Sequence, residues 1–319
     1  MEWIKSDALS ESSKKLYNDK INKWIGCYMA EGQNHQAYLN YIIDYPNPAL
    51  NALRKEPSIK DTPTVRHVYI NAIIAYLKHE KNDQEALKKW IPYSVNNSET
   101  IKARYLTGEP SELQKNKQLS WTTICKVRDE LPMCSAKMLL AMYTMIPPIR
   151  GDLYDCLLLT DEKSVPSVWT TSGNHIILFP LEESKLVLVE YKTKKKLGKI
   201  CIPLPKELRD LLHDFLAYCN ERSSEPRVYL FEDTNGACFT RKTFSTWCGR
   251  KLKAAFGRPM TLTAIRHNYT SQLDFNKPIG ELNAIANSMC HSLATQRIYK
   301  WEGGANEIID PTSHPTPPQ

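Results

Sequence analysis

The sequence predicts a mainly α protein with a small antiparallel β-sheet, an α+β chain of two domains. Three observations lead there. Apolar residues recur at helical spacing through the first hundred positions. A polar, turn-rich stretch follows at residues 92–118. The period then switches to short alternating β-branched runs near residues 174–205, and afterwards back to helical spacing. At 319 residues and 42% hydrophobic content, with seven Trp and sixteen Tyr, the chain can fill two cores.

Taken in order, SESSKKLYNDKINKWIGCYMAEG opens on serines suited to N-capping. Leu16, Ile21, Trp24, Ile25 and Tyr28 form its apolar stripe, and Gly32 is expected to end it. TPTVRHVYINAIIAYLKHEK places Pro63 in a first turn, with Val65, Val68, Ile73, Ile74 and Leu77 on one face. DQEALKKWI reads as a shorter helix ending at Pro92. A domain boundary is expected near residue 110, giving a helical domain at 1–110 and a second domain at 111–305.

SWTTICKVRDEL and CSAKMLLAMYTMI continue as helices, the latter stopped by Pro147-Pro148. KLVLVEYKT and GKICIPLP read as two strands joined by a Lys-rich turn. Helical patterns resume at KELRDLLHDFLAYCN and run to about residue 302. The Pro-rich end, 306–319, is expected to be a mobile tail.

No apolar run approaches the roughly 20 residues that span a bilayer. The polar start lacks a signal-peptide core, so a soluble, intracellular protein is expected, in cytoplasm or nucleus. Nine cysteines form no C-x-x-C pair and no zinc spacing, which reads as reduced, buried thiols and no metal site. A net charge of +7 is compatible with nucleic-acid binding without demonstrating it.

Four features carry possible chemistry, and each has a plain structural alternative. IPPIRGDLYDCLLL places Arg150 after a helix stop, at the expected start of a helix through Leu153, Leu157 and Leu158. A guanidinium there needs an anion, either a ligand or Asp152 and Asp155. YKTKKKLGK carries Lys192, Lys194, Lys195, Lys196 and Lys199, a solvated cluster or a phosphate contact. In TLTAIRHNYTSQL, Thr261 or Thr263 caps a helix bearing Arg266 and His267, a phosphate grip or a surface Arg beside a core His. In MCHSLATQRIYKWEG, His291 and Tyr299 stand eight residues apart. A straight helix rotates roughly 800° over that separation, so they share a face loosely, or meet if the chain breaks between them.

The order of these elements is more specific than any one of them. Arg, a hairpin Lys, an Arg-His helix and then CHS…Y near the C-terminus resembles the tyrosine recombinase (phage-integrase-type) family over roughly residues 110–302. The resemblance implies a C-shaped, two-domain clamp on double-stranded DNA, with a helical core-binding domain before the catalytic one. It implies Arg150 and Arg266 on the scissile phosphate and Lys192 as general acid, with Lys194 in reserve. His291 becomes a phosphate donor and Tyr299 the nucleophile that forms a 3′-phosphotyrosyl bond. Lys194, Lys195, Lys196 and Lys199 are then DNA contacts, and Trp301 a packing or positioning residue. The implied protein is a site-specific recombinase or integrase without metal or cofactor, a monomer or dimer when free and a tetramer at synapsis. Type IB topoisomerases use a similar residue set and are the alternative enzyme.

The chain also departs from the family pattern. Thr263 stands where a His is usual, which motivates a second alternative, a catalytically inactive DNA-binding relative. His267, beside Arg266, is only a weak substitute. Leu153 occupies an acidic position and Cys290 a glycine position, and the His-to-Tyr spacing is one residue short. That shorter spacing is similar to divergent members from eukaryotic mobile elements and large DNA viruses.

Overall fold

The structure is a computed structural model that describes residues 1–28, 34–59, 62–159, 173–178, 184–223 and 227–301. The chain divides into two compact units, Met1–Thr107 and Gly108–Gln319. Gly32 and the segment 302–319, with its expected tail, lie outside the described residues.

The first unit holds α1 (Glu11–Gly26), α2 (His35–Asp44), α3 (Pro46–Lys55), α4 (Pro63–Tyr76) and α5 (Gln84–Leu106), with a π-helical turn at Leu77–Lys81. Side-chain caps include Ser10 for α1, Thr62 for α4 and Asp83 for α5, while Pro46 opens α3. The core is organised around Trp24, whose ring meets Tyr69 and Trp90 edge-on at 5.7 and 5.8 Å. Leu16, expected in the apolar stripe, is exposed.

α5 corrects the sequence reading, because Pro92 lies inside it and the helix runs on to Leu106. Proline removes one N–H and frees the carbonyl four residues earlier. Lys88 and Pro92 are both exposed, so water can satisfy that carbonyl, while Trp90 and Asn97 hold the inner face.

In the second unit come α6 (Glu112–Lys115), α7 (Trp121–Glu130) and α8 (Ser135–Thr144). Residues 138–143 of α8 are all buried, so it is enclosed on every face. The sheet follows: β1 (Leu157–Leu159), β2 (His175–Ile177) and β3 (Lys185–Leu188), then a single turn α9 (Lys194–Leu197) and β4 (Ile200–Pro203). Strand order is β1-β2-β3-β4. β2, β3 and β4 are antiparallel as expected, but β1 pairs with β2 in parallel, so the sheet is mixed.

β1 also overturns the helix expected after Arg150. Leu153, Leu157 and Leu158 fit helical spacing by coincidence, since a short continuous apolar run suits a buried strand equally well. The remaining helices are α10 (Lys206–Asn220), α11 (Arg241–Phe256), α12 (Leu262–Ser271), α13 (Ile279–Ser288) and α14 (Leu293–Tyr299). Between α10 and α11 the expected helical run is absent among the described residues 221–223 and 227–240, where Tyr229 bridges to Leu157.

All nine cysteines are free thiols, but only Cys156, Cys248 and Cys290 are buried; Cys201 and Cys238 are exposed. Cys201 shows why, since the outward residues of β4 alternate with inward Ile202. Among the described residues, no His, Cys, Asp and Glu group has metal-site geometry, and no helix is long and apolar enough to cross a membrane.

Candidate active site

Arg150 sits in irregular chain between α8 and β1, not at a helix start. Tyr143, on the enclosed helix α8, donates its hydroxyl to the Arg150 carbonyl at 2.6 Å and fixes the backbone there. The Arg150 Nη1 donates to the Cys290 carbonyl at 2.9 Å.

Thr261 is the residue that caps α12, accepting from the Ala264 amide at 3.1 Å. One turn on, Arg266 is 1% exposed. Its Nη1 donates to the carbonyls of Pro148 (2.7 Å) and Met289 (3.2 Å), and its Nη2 to His291 Nδ1 (3.0 Å). The guanidinium also lies 4.9 Å from the centre of the Tyr299 ring. Burial lowers its pKa, but an arginine in a protein keeps its charge.

His291 and Tyr299 meet because the chain breaks between them. α13 ends at Ser288, a turn carries His291, and Ser292 caps α14, accepting from the Thr295 amide at 3.3 Å. The rings of His291 and Tyr299 then lie 5.4 Å apart. An arginine can only donate, so His291 Nδ1 accepts and the ring proton is on Nε2. That Nε2 is buried with no hydrogen-bond partner among the described residues. Burial, and after it Arg266 and Arg150, push the His291 pKa down to about 3. The imidazole is therefore a neutral N–H donor.

His267 holds the other side of the tyrosine. Its Nδ1 donates to the Tyr299 carbonyl at 2.7 Å, and its ring stacks on Trp301 at 4.3 Å. The Trp301 amide donates to Ser271 Oγ, which donates to the His267 carbonyl, both at 2.8 Å. His267 and Trp301 thus anchor the end of α14 to α12.

A cavity of about 390 Å³ opens over this cluster, lined in part by Arg150, Arg241, Ser245, Thr263, Arg266 and Tyr299. Sequence reasoning missed Arg241. It opens α11, and its Nη2 lies 2.9 Å from the fully buried Asp152. Arg241, not Arg150, is the guanidinium at a helix start that needs an anion, and Asp152 supplies the charge.

The hairpin lysines do not line the cavity. Lys192, Lys194, Lys195, Lys196 and Lys199 are all exposed, and Lys194 is ion-paired with Glu190. The connection between β3 and β4 is nevertheless tied to the cluster. Thr193 Oγ1 donates at 2.7 Å to the Cys290 carbonyl, the same oxygen that Arg150 contacts.

The fold and the cluster together define a mainly helical chain with a small mixed sheet. Its cavity is cationic, with a phenol at its edge and a neutral imidazole behind it. No family profile and no curated protein matches the chain. Among solved structures it is similar to a XerA recombinase, at 14% identity and a TM-score of 0.40, covering 93% of this chain and 89% of that one. It is also similar to a lambda integrase (75–356) dimer bound to a COC′ core site, at 13% identity and a TM-score of 0.38, covering 92% and 98%. At TM-scores below 0.5 neither likeness carries the functional reading, which rests on the site.

Proposed function

We propose that the protein cuts and rejoins DNA through a 3′-phosphotyrosyl intermediate, as a site-specific recombinase or integrase. The observation that carries this reading is the cluster of Arg266, His291 and Tyr299, with an imidazole N–H that has no partner among the described residues buried beside a phenol and two guanidiniums near by.

In the first step the Tyr299 oxygen bonds to phosphorus and the bond from phosphorus to the 5′ oxygen breaks. Lys192 gives its ammonium proton to that oxygen, which departs as a hydroxyl. Arg150, Arg266 and His291 Nε2–H donate to the non-bridging oxygens, whose charge grows in the transition state. The phenol proton leaves to water through the cavity, since Thr263 cannot accept one near neutral pH. A 5′-hydroxyl of another strand then reverses the step, and no cofactor is consumed. The helical unit Met1–Thr107 and the hairpin lysines hold the duplex, and four copies assemble at synapsis. Relaxation of supercoils by single copies, with no strand exchange, is what a type IB topoisomerase gives instead.

The test uses a pool of end-labelled duplexes with a randomised core and a nick that traps cut ends. A labelled covalent adduct on a denaturing gel is the expected result, lost in Tyr299→Phe. An undiminished adduct in Tyr299→Phe removes the nucleophile. Thr263 on the cavity wall favours one second reading, a DNA-binding protein without cleavage. Salt-sensitive binding with no adduct across the pool selects it.

A further inference from the structure

The reaction proposed above needs Lys192 at the leaving oxygen, yet no described residue holds its side chain. Lys192 is exposed and makes no ion pair or hydrogen bond among the described residues. Where its ammonium can reach is therefore set by its backbone. Two fixed points bracket that backbone.

The first is Asn174, which is fully buried just before β2. Its Nδ2 donates to the carbonyls of Asp152 (2.8 Å) and Glu190 (2.9 Å). Its Oδ1 accepts from the amides of Val189 (2.8 Å) and Glu190 (2.9 Å). One planar amide thus uses two donor hydrogens and two lone pairs, its full capacity. Asp152 lies two residues beyond Arg150, and Glu190 two residues before Lys192.

The second fixed point is the Cys290 carbonyl, which accepts from Arg150 Nη1 and Thr193 Oγ1 together. Lys192 hangs between Glu190 and Thr193, and both anchors tie it to the segment of Arg150. Lys194, by contrast, is occupied by Glu190.

We propose that Asn174 is a positioning residue, which sets Lys192 in register with Arg150 by clamping Asp152 to Glu190. The inference rests on the reading of Lys192 as general acid, and its experiment separates the two.

The probe is a duplex recovered from the randomised pool, resynthesised with oxygen or sulfur at the 5′ bridging position of the cut. A thiol has a pKa near 8.5, so a thiolate leaves unprotonated when the bond from phosphorus to sulfur breaks, and no general acid is needed. Asn174→Asp keeps Oδ1 and loses both Nδ2 bonds. Misplacement of a reacting group by about 1 Å can cost 10²-fold, so Asn174→Asp is expected to slow cleavage of the oxygen duplex about 10²-fold. It is expected to cut the sulfur duplex near the wild-type rate, as is Lys192→Ala. The double variant then loses little more than Lys192→Ala alone. Thr193→Val removes the second anchor from a half-buried turn and gives the same readout if Asn174→Asp does not fold.

A general loss of architecture slows both duplexes alike. Equal slowing of oxygen and sulfur cleavage, or an unchanged oxygen rate, therefore overturns the role of Asn174. If Lys192→Ala itself shows no sulfur rescue, the general-acid assignment falls. If the wild-type protein gives no adduct on any duplex, the parent reading falls.

Discussion

Arg266 Nη2 donates to His291 Nδ1 at 3.0 Å, and this bond decides which imidazole nitrogen carries the proton. It leaves Nε2–H as a buried donor with no acceptor among the described residues, which usually costs about 1–3 kcal/mol. In the proposed reaction a phosphate oxygen held by Arg150 and Arg266 accepts from this N–H and removes that cost.

Orthovanadate, a mimic of the pentavalent transition state, should therefore raise the melting temperature. His291→Phe keeps a ring and removes the donor. Hydrogen bonds to charged groups contribute roughly 1.5–3 kcal/mol, so vanadate affinity should fall at least about tenfold. Calorimetric titration checks this, and an unchanged affinity in His291→Phe removes the donor role. Arg266→Ala is a poor test, because it also strips Pro148, Met289 and His291 of their donor.

Acid should destabilise the fold through two histidines. His291 is pushed down to about 3 and His267 to about 4, both chiefly by burial. Both native pKa values lie below the unfolded value of about 6.5, so the unfolded chain binds more protons as pH falls. Their contribution is fully present above about pH 6.5 and is lost from there towards about pH 4, at about 1.4 kcal/mol per pH unit for each histidine. Urea melts across that window should show a steep slope, reduced by one histidine's share in His267→Gln. A flat profile between pH 6.5 and 4 contradicts the burial of both rings.

The candidate cluster was legible only as a resemblance in the order of its residues, while helix starts were legible from capping signals such as Ser10 and Thr261. The polarity of chain entry was not legible. Arg150 looked like the head of a helix only because Leu153, Leu157 and Leu158 match two periods at once. Pro92 looked like a helix stop because tertiary packing of Trp90 and Asn97 is invisible in a local window. Arg241, Asn174 and Thr193 escaped notice for a different reason. Their partners Asp152, Glu190 and Cys290 are remote in sequence, and no spacing rule connects them.

Cys290 should tolerate glycine and reject a branched side chain. It is one of two non-glycine residues with positive φ among the described residues, at 58°, in a position where the family resemblance implies Gly. The left-handed conformation costs a residue with a Cβ roughly 1–2 kcal/mol. Cys290→Gly relieves that strain and loses a buried thiol of similar value, so stability should change by less than about 1 kcal/mol. Cys290→Val adds a Cβ branch where φ is positive and should destabilise more than glycine does. Equilibrium unfolding of the two variants compares them. A more stable Cys290→Val excludes backbone strain as the dominant effect.

The Asp152 and Arg241 pair couples stability to ligand binding. Asp152 is fully buried, and neither carboxylate oxygen receives a well-directed hydrogen bond among the described residues, although Arg241 is 2.9 Å away. Burial raises its pKa above the ordinary carboxylate value, while Arg241, Arg150 and Arg266 pull it back. A raised native pKa means that this group contributes stability at low pH and loses it as pH rises through the native value. Asp152→Asn should therefore gain stability relative to the wild type at pH 7, with the difference vanishing well below pH 4. It also releases Arg241, whose side chain is about half exposed, towards the cavity it lines. Vanadate should bind Asp152→Asn more tightly, and Asp152→Asn with Arg241→Ala should lose that gain. Weaker vanadate binding in the single variant would show that Asp152 holds Arg241 in its binding position instead of competing for it.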